Sequence, residues 1–439
     1  MSGIFSGCYL AIAASRASSC DEGFLQGRKE SRLVLSGTHQ GVTLTVFARD
    51  NIRHTHSRGA VPCPFYDLPL FKRGWCFQER LLARRTLHFA CDELFFQCRT
   101  EDRCECSGRN AWRPSITLCY AYYAATISWE SRQIRTFQDQ KPTHLRTDCG
   151  SDGESSTSYP SAFSNTEGFS ESNPAALIQR LYRVSGEMTE DQELPITFGE
   201  LWGEIVSDYV SLNLTVQQDI LPALSGLANL MLTKSPGRYF AGIWELDIHY
   251  FLGWSSDRED GRCYRPVEAT APSFSWASRF GPVCFPRDCV ITRICTVLHV
   301  RCETKGANPY GQVMRGGFII LQGKLISGIV KSCHKNTVWS SSVVIADAGG
   351  EECSPVIEFD TEEDEEDLGR GTECSVYFFD LFRERKWEHP ADDGADHFYV
   401  RSIVLKETDR PGTFRRIGLT YISRARVFDV VADVKVKII

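Results

Sequence analysis

One short segment carries the polar side chains with the clearest potential for chemistry. It reads RGWCFQERLLARRTLHF and covers residues 73–89. On a helix, positions i, i+3, i+4 and i+7 share one face, and here they are Trp75, Gln78, Glu79 and Leu82. Trp75 and Leu82 suit burial, but a buried carboxylate destabilises a fold by several kcal/mol unless it is paired. The segment therefore predicts a helix in which Glu79 either pairs with a cationic side chain or is retained because it has a functional role.

The composition limits the class of protein. The chain has 439 residues, of which 42% are hydrophobic and 11% aromatic, and it carries a formal net charge of −7. That charge argues against a general nucleic-acid binder, which needs a basic face. Eighteen cysteines are scattered without framework spacing, which favours reduced thiols in the cytoplasm. No basic residue precedes the apolar CYLAIAA, and the longest uncharged run, residues 116–129, is shorter than a membrane span, so we expect neither a signal peptide nor a transmembrane helix.

The chain divides into four regions by pattern. Residues 1–110 mix predicted strands (CYLAIAAS, LVLSG, VTLTVF) with the helix at 73–83 and a hairpin formed by RTLHFA and LFFQCR. Residues 138–174 are dominated by serine and predict a disordered linker. Residues 175–255 have helical spacing, including a capping box at 215–218, and residues 256–439 predict mainly β structure. Within the last region, the acidic run DTEEDEED (360–367) predicts a solvated loop rather than a Ca²⁺ loop, because it lacks alternating ligands and a turn glycine.

Most common catalytic signatures are absent, including phosphate-binding glycine loops, H-E-x-x-H and G-x-S-x-G. One metal site needs weighing, because Cys91, Cys98, Cys104 and Cys106 lie near His88 and could surround Zn²⁺. Their uneven spacing favours buried free cysteines instead. The sequence therefore predicts no metal site and no cofactor. Trp244, Trp254 and Trp276 suit the core of the downstream region, with a ligand-binding role as the alternative.

The segment at 73–89 resembles the third sequence block of the fungal HET (heterokaryon incompatibility) domain, whose pattern is roughly R-x-W-x-x-Q-E-x-x-L-x-x-R. The positions that match are Arg73, Trp75, Gln78, Glu79, Leu82 and Arg85. LFFQC and IFSGCYLAIAASRASSCDEGFL are similar to neighbouring parts of that domain. LWGEIVSDYVSLNLTVQQDILPALSGLANLM, YFAGIWELDIHYFLGW, APSFSWAS, SVYFFDLF and TFRRIGLTYIS resemble the region that follows it. Together these ordered pieces cover about half of the chain.

The resemblance implies a fold and a function. It implies a partial TIR-like α/β HET domain over residues 1–110, a helical region, and a mainly β C-terminal domain, so that the whole is α+β. It implies a cytoplasmic role in nonself recognition and in the cell death that follows incompatible fusion, through a protein partner or self-association. The family blocks around S-Y-x-W-G and D-x-x-C-I-x-Q are absent, so this chain is expected to begin inside the domain and to expose an unpaired, apolar sheet edge.

Two interpretations of Glu79 remain open. In the structural one, the carboxylate pairs with Arg73, Arg84 or Arg85 and fixes the helix against the sheet. In the catalytic one, which rests on the distant relation to NAD⁺-cleaving TIR domains, Glu79 stabilises an oxocarbenium-like ribose of NAD and Gln78 orients it or the substrate. Arg73, Trp75 and Arg85 would then bind substrate or support the site. Because the first family blocks are missing, we expect an interaction component rather than an active enzyme.

Overall fold

The computed structural model describes most of the chain outside one long central segment. The described residues are 2–25, 32–39, 42–48, 68–90, 94–99, 102–105, 198–234, 236–257, 262–286, 289–333, 341–345, 356–369, 374–386, 399–422 and 431–439. The predicted serine-rich linker at 138–174 and the start of the helical region at 175–197 lie outside them.

The helices and strands confirm a mixed α/β molecule. The helices are α1 (Ser2–Gly7), α2 (Gly74–Leu82), α3 (Phe198–Val210), α4 (Ser225–Met231), α5 (Ile248–Leu252) and α6 (Glu362–Gly369). Short 3₁₀ helices cover Pro69–Lys72, Gln217–Asp219, Pro222–Leu224, Leu232–Lys234 and Trp276–Ser278. The first strands are β1 (Ala11–Ala13), β2 (Arg32–His39), β3 (Val42–Ala48), β4 (Arg85–Phe89), β5 (Leu94–Cys98) and β6 (Asp102–Cys104). Then follow β7 (Tyr239–Phe240), β8 (Ile243–Trp244), β9 (Ser255–Ser256), β10 (Val283–Cys284), β11 (Cys289–Arg293), β12 (Thr296–Arg301) and β13 (Phe318–Cys333). The last are β14 (Ser341–Ile345), β15 (Ile357–Phe359), β16 (Cys374–Lys386), β17 (Tyr399–Glu407), β18 (Thr413–Ile422) and β19 (Asp433–Ile438).

The N-terminal sheet has four strands in the order β1-β4-β5-β6. β1 runs parallel to β4, whereas β4, β5 and β6 are antiparallel, and the predicted β4–β5 hairpin is confirmed. β1 lies at the edge of this sheet, and Ile12 on it is 62% exposed. The prediction of a buried strand there is therefore wrong. The predicted strands β2 and β3 form a separate antiparallel pair.

The C-terminal sheet is large and mostly antiparallel, and it confirms the prediction of mainly β structure in residues 256–439. It contains nine strands, and its central path runs β11-β16-β17-β18-β19-β13-β12. The 16-residue strand β13 pairs with β19 through its first half and with β16 through its second. These pairings close β16, β17, β18, β19 and β13 into a ring, which leaves these strands fewer open edges.

The main hydrophobic core joins the helical region to one face of this sheet. Trp244, Trp254 and Trp276 are fully buried in it, so their interpretation as core aromatics is confirmed. The indole nitrogens of Trp202 and Trp276 both donate to the Gly242 carbonyl, at 2.9 and 3.0 Å. Gly242 has φ +95°, and a Cβ there would meet the Trp276 ring at 2.6 Å, so the turn requires glycine.

Two local predictions are wrong. The capping box at 215–218 does not form, because a 3₁₀ helix begins there after Val216 without a side-chain cap. The acidic run is not a solvated loop but helix α6, capped by Thr361, whose hydroxyl accepts from the Asp364 N–H at 3.2 Å. Asp360 and Asp364 are buried because arginines pair with them: Asp360 with Arg416, and Asp364 with two others, Arg265 and Arg415.

Among the described residues, no helix is both long enough and apolar enough to cross a membrane.

Candidate functional site

Helix α2 places the segment singled out by the sequence against the helical region. The chain enters it through the 3₁₀ helix Pro69–Lys72, and Gly74 is its first residue. The Gly74 N–H donates to the Asn213 carbonyl at 2.9 Å, and the Asn213 N–H donates to the Lys72 carbonyl at 2.7 Å. A Cβ on Gly74 would approach Leu214 to 2.6 Å, so glycine permits this close approach. The predicted helix is confirmed, and its start is fixed by the segment around Asn213.

Trp75 links the helix to the 3₁₀ helix Gln217–Asp219. Its ring is half-buried against the main core, and its indole nitrogen donates to the Asp219 carboxylate at 3.0 Å. The interpretation of Trp75 as a packing residue is therefore supported by its contacts. The indole N–H is already used, so only the ring surface is left for any ligand.

Gln78 binds the start of helix α4 and does not orient Glu79. The side chain is 2% exposed, and its carbonyl oxygen accepts a hydrogen bond from the Gly226 N–H at 2.9 Å. Gly226 lies in the first turn of α4, where backbone N–H groups have no partner within the helix. Gln78 thus satisfies one of these donors across a sequence separation of 148 residues.

Glu79 is half-buried, as expected, but the predicted arginine pairing is wrong. Within the described part of the chain, no arginine lies within salt-bridge distance of its carboxylate. Burial raises the pKa of Glu79, and the neighbouring Cys76 thiol and the more distant charge of Arg73 oppose the rise. The same burial, aided by the charge of Glu79, raises the pKa of Cys76 to about 11. The pair is therefore a protonated thiol beside a carboxyl group that resists ionisation.

The arginines lie elsewhere because the helix is short. Ala83, with φ −63° and ψ 136°, ends α2 in an extended conformation, so Arg84 and Arg85 leave the helical face. Both are exposed, and the Arg85 guanidinium lies 5.0 Å from the centre of the Tyr9 ring. Arg73 precedes the helix and is exposed as well. The structure thus brings Trp75 and Gln78 to one interface but leaves Arg73 and Arg85 outside it.

A cavity opens beside Trp75 and Gln78 that sequence patterns did not predict. It has a volume of ≈ 430 Å³, and its other walls come from the start of α4 and from a loop at residues 308–310. Glu79 does not line it. A second cavity of ≈ 220 Å³ is lined by residues that include Arg238, Glu245 and His249, and none of the predicted site residues reaches it. The residues of the first cavity are distant in sequence, so no local motif could have revealed it.

The proposed cysteine site is only partly described. Cys91 and Cys106 lie outside the described residues, and His88 is buried with its Nδ1 at 2.9 Å from the Ser15 hydroxyl. Burial lowers the pKa of His88 well below its ordinary value, so the imidazole is neutral. In the residues that the structure covers, no three histidine, cysteine or acidic side chains are placed to hold a metal ion.

Comparison with known proteins adds no relative: no protein-family model, no curated protein and no solved structure matches this chain.

Proposed function

We propose that this chain is a HET-type protein of fungal nonself recognition that acts in the cytoplasm through protein contacts rather than by cleaving NAD. The proposal includes a partial TIR-like unit over residues 1–110. The proposal rests on the internal contacts of the HET-like segment. Trp75 forms a hydrogen bond with Asp219, and Gln78 forms one with Gly226, both inside the molecule. Nine described cysteines are free thiols, which fits a reducing compartment.

The open edge of the N-terminal sheet supports recognition by contact. Tyr9, Leu10 and Ile12 are 81%, 39% and 62% exposed within four consecutive positions. β1 pairs only with β4, so its other edge has no strand partner in the part of the chain that the structure describes. Exposed apolar residues beside an open strand edge are typical of a protein interaction site.

We commit to a second copy of this chain as the occupant of this edge. The three exposed side chains carry no charge, so two copies can bring them together about a two-fold axis without repulsion between these side chains. Antiparallel pairing of β1 with the β1 of a second copy would join two four-stranded sheets.

The test is the mass of the purified full chain by size exclusion with light scattering. We expect a dimer for the native chain and a monomer for Ile12→Glu, because the substitution places a charge in an apolar contact. Val267→Glu is the matched control, since Val267 is 98% exposed elsewhere and its replacement should leave the dimer intact. A monomeric native chain, or equal dimerisation of both variants, would overturn the proposed contact.

The functional test uses fusion between incompatible fungal strains, one of which expresses the chain. We expect Ile12→Glu to abolish the death of the fused compartment and Glu79→Gln to leave it unchanged. Overexpression in a compatible host should not kill. Death that depends on Glu79 and not on Ile12 would contradict recognition through β1.

NAD cleavage by Glu79 is the second candidate, favoured by one observation. Glu79 is a half-buried carboxyl group with a raised pKa, and such groups are common at functional sites. An oxocarbenium-stabilising carboxylate must be ionised, however, and the burial that raises the pKa of Glu79 opposes ionisation. Incubating the purified chain with NAD⁺ should release no nicotinamide. Release that Glu79→Gln abolishes would favour the enzyme instead.

A further inference from the structure

The cavity beside Trp75 is built from three separate parts of the chain. Helix α2 supplies Trp75 and Gln78, helix α4 supplies Asn229, and the loop before β13 supplies Asn308 and Tyr310. Its volume of ≈ 430 Å³ falls in the range of about 300–1,000 Å³ that is common for small-molecule sites. None of the described residues that line it carries a charge.

Two well-buried residues keep unused donors at this cavity. Gln78 is 2% exposed, and although its carbonyl oxygen binds Gly226, its NH₂ group makes no hydrogen bond with the described residues. Tyr310 is 7% exposed, and its hydroxyl likewise has no partner in the described ranges. Burial raises the pKa of Tyr310, so the hydroxyl stays protonated and able to donate. Neither donor atom is among the fully buried, unpaired side-chain atoms, so both are accessible at the cavity and available to a ligand.

The remaining wall combines amides with one aromatic surface. Asn308 uses its carbonyl oxygen to accept the Tyr310 N–H at 3.0 Å, which leaves its NH₂ group for a ligand. Asn229 is exposed at the cavity and can both donate and accept. Trp75 offers its ring alone, because its N–H is held by Asp219.

We propose that this cavity binds an uncharged sugar, with ring oxygen atoms and hydroxyls facing Gln78, Asn308 and Tyr310 and its C–H face on Trp75. A phosphorylated or carboxylated ligand would need a cationic side chain, and the lining has none. Hydroxyl groups both donate and accept, as do amides, so one sugar can satisfy several wall groups at once. A flat base fits less well, because Tyr310 presents its hydroxyl while its ring is packed at 5.2 Å against Tyr239.

Binding would also join the three parts of the chain. A ligand that contacts α2, α4 and the 308–310 loop together binds only the folded arrangement, so it raises the unfolding temperature. This property does not depend on the proposed function, since the cavity is separate from the β1 edge and from Glu79.

The experiment titrates the full chain with glucose, N-acetylglucosamine and cellobiose, with adenosine as the planar comparison, by calorimetry and thermal unfolding. We expect at least one of the sugars to bind and to raise the unfolding temperature. Tyr310→Phe removes only the free hydroxyl, and Asn229→Ala removes an exposed amide. Each should weaken sugar binding about three- to tenfold, the value of one uncharged hydrogen bond.

Tyr239→Phe is the matched control, because the Tyr239 hydroxyl is also buried without a partner but does not line the cavity. Its sugar affinity should equal that of the native chain. No binding by any sugar, equal binding by Tyr310→Phe and the native chain, or binding of adenosine alone would each overturn the proposal.

Discussion

Glu79 is the residue whose chemistry the sequence made most prominent, and its environment is neither an ion pair nor an open cleft. The carboxyl group is half-buried beside the Cys76 thiol, and burial raises its pKa. The ordinary pKa is 4.5, so the native state holds the proton more tightly than the unfolded chain does. Stability therefore falls as pH rises from 4.5 through the raised value, because the ionised form is disfavoured only in the native state.

We accordingly predict that Glu79→Gln raises the unfolding temperature near neutral pH, at about pH 7, and loses this advantage at about pH 4, where the native carboxyl is already protonated. Thermal unfolding across this range measures the difference. Glu268→Gln serves as control, since Glu268 is exposed. A lower unfolding temperature for Glu79→Gln at neutral pH would instead mean that the charge of Glu79 stabilises the fold.

Asp360, which the sequence analysis placed in a solvated loop, forms a fully buried pair with Arg416. The Asp360 carboxylate lies 3.1 Å from the Arg416 Nε, and Arg416 also donates to the Leu252 carbonyl at 2.6 Å. The Arg416 guanidinium lies over the Trp254 ring at 3.5 Å. Burial lowers the pKa of Arg416 to about 10, which shows how strongly the charge depends on its partners.

Replacing Asp360 with Ala should destabilise the protein by about 3–5 kcal/mol, because it leaves the Arg416 charge buried without its carboxylate. Urea unfolding gives the free energy. Glu245→Ala is the matched control: it breaks a pair of similar length, 2.7 Å, whose Arg238 and Glu245 side chains are 66% and 42% exposed. That exposed pair should contribute little to the free energy of unfolding. Equal losses in both variants would contradict the role assigned to burial.

At the residue scale, helical spacing correctly predicted that Gln78 and Leu82 are buried, but it did not predict the burial of Phe77 and Leu81 or the partners of these side chains. The partners of Trp75 and Gln78 lie 144 and 148 residues away, beyond the reach of any local pattern. The arginine pairing failed because Arg73, Arg84 and Arg85 flank the helix and are exposed, whereas Glu79 is half-buried within it.

At the scale of elements, α2 acts as a connector between the N-terminal sheet and the helical region. Gln78 on α2 accepts a hydrogen bond from a buried N–H at the start of α4. The residue that precedes α4, Leu224, provides no side-chain cap. The first turn of α4 is therefore stabilised from outside its own sequence.

We expect Gln78→Ala to speed amide hydrogen exchange at Gly226 and to destabilise the protein by about 1–3 kcal/mol, the penalty for a buried donor without a partner. Exchange followed by mass spectrometry or NMR checks this. Gln78→Glu retains an acceptor oxygen and should preserve the slow exchange at Gly226. If Gln78→Ala leaves exchange unchanged, the hydrogen bond does not hold α4.

Helix α6 shows that a strongly acidic run can form a capped helix. Thr361 and Asp364 have the spacing of a helix N-terminal capping pair, and the Thr361 hydroxyl lies 2.8 Å from the Asp364 carboxylate. This capping pair can be read from the sequence, but the high negative charge of residues 360–367 favoured the prediction of a solvated loop. Most strands, including β13 and β16–β18, were predicted from their apolar runs. The short strands β9, β15 and β19 were not, because runs of two or three residues or many charges give no clear alternation.

For the whole molecule, the pairing of the strands is the part that the sequence could not predict. β19 carries Val436 and Ile438 into the core and pairs with both β13 and β18. The Ile439 carbonyl accepts from the Ser273 N–H at 3.0 Å, so this last strand also holds the segment before Trp276.

Removing residues 433–439 should therefore prevent stable folding of the C-terminal sheet. The deletion removes the whole of strand β19. Circular dichroism and a urea titration should show loss of the cooperative transition. The matched control replaces Val434, which is 40% exposed on the same strand, with Thr, and should retain the transition. A truncated chain that still unfolds cooperatively would mean that β13 and β18 do not need β19.

The ring of strands also sets an order of events during synthesis on the ribosome. β13 is translated well before one of its partners, β19, which lies more than a hundred positions later in the chain. Neighbouring strands such as β17 and β18 can pair as soon as they emerge, because their contacts are local. Ring closure must wait until residues 433–438 have been made. Until then the newly made β13 and β18 present unsatisfied edges to other nascent chains, so chaperone binding during translation should concentrate on this half of the protein.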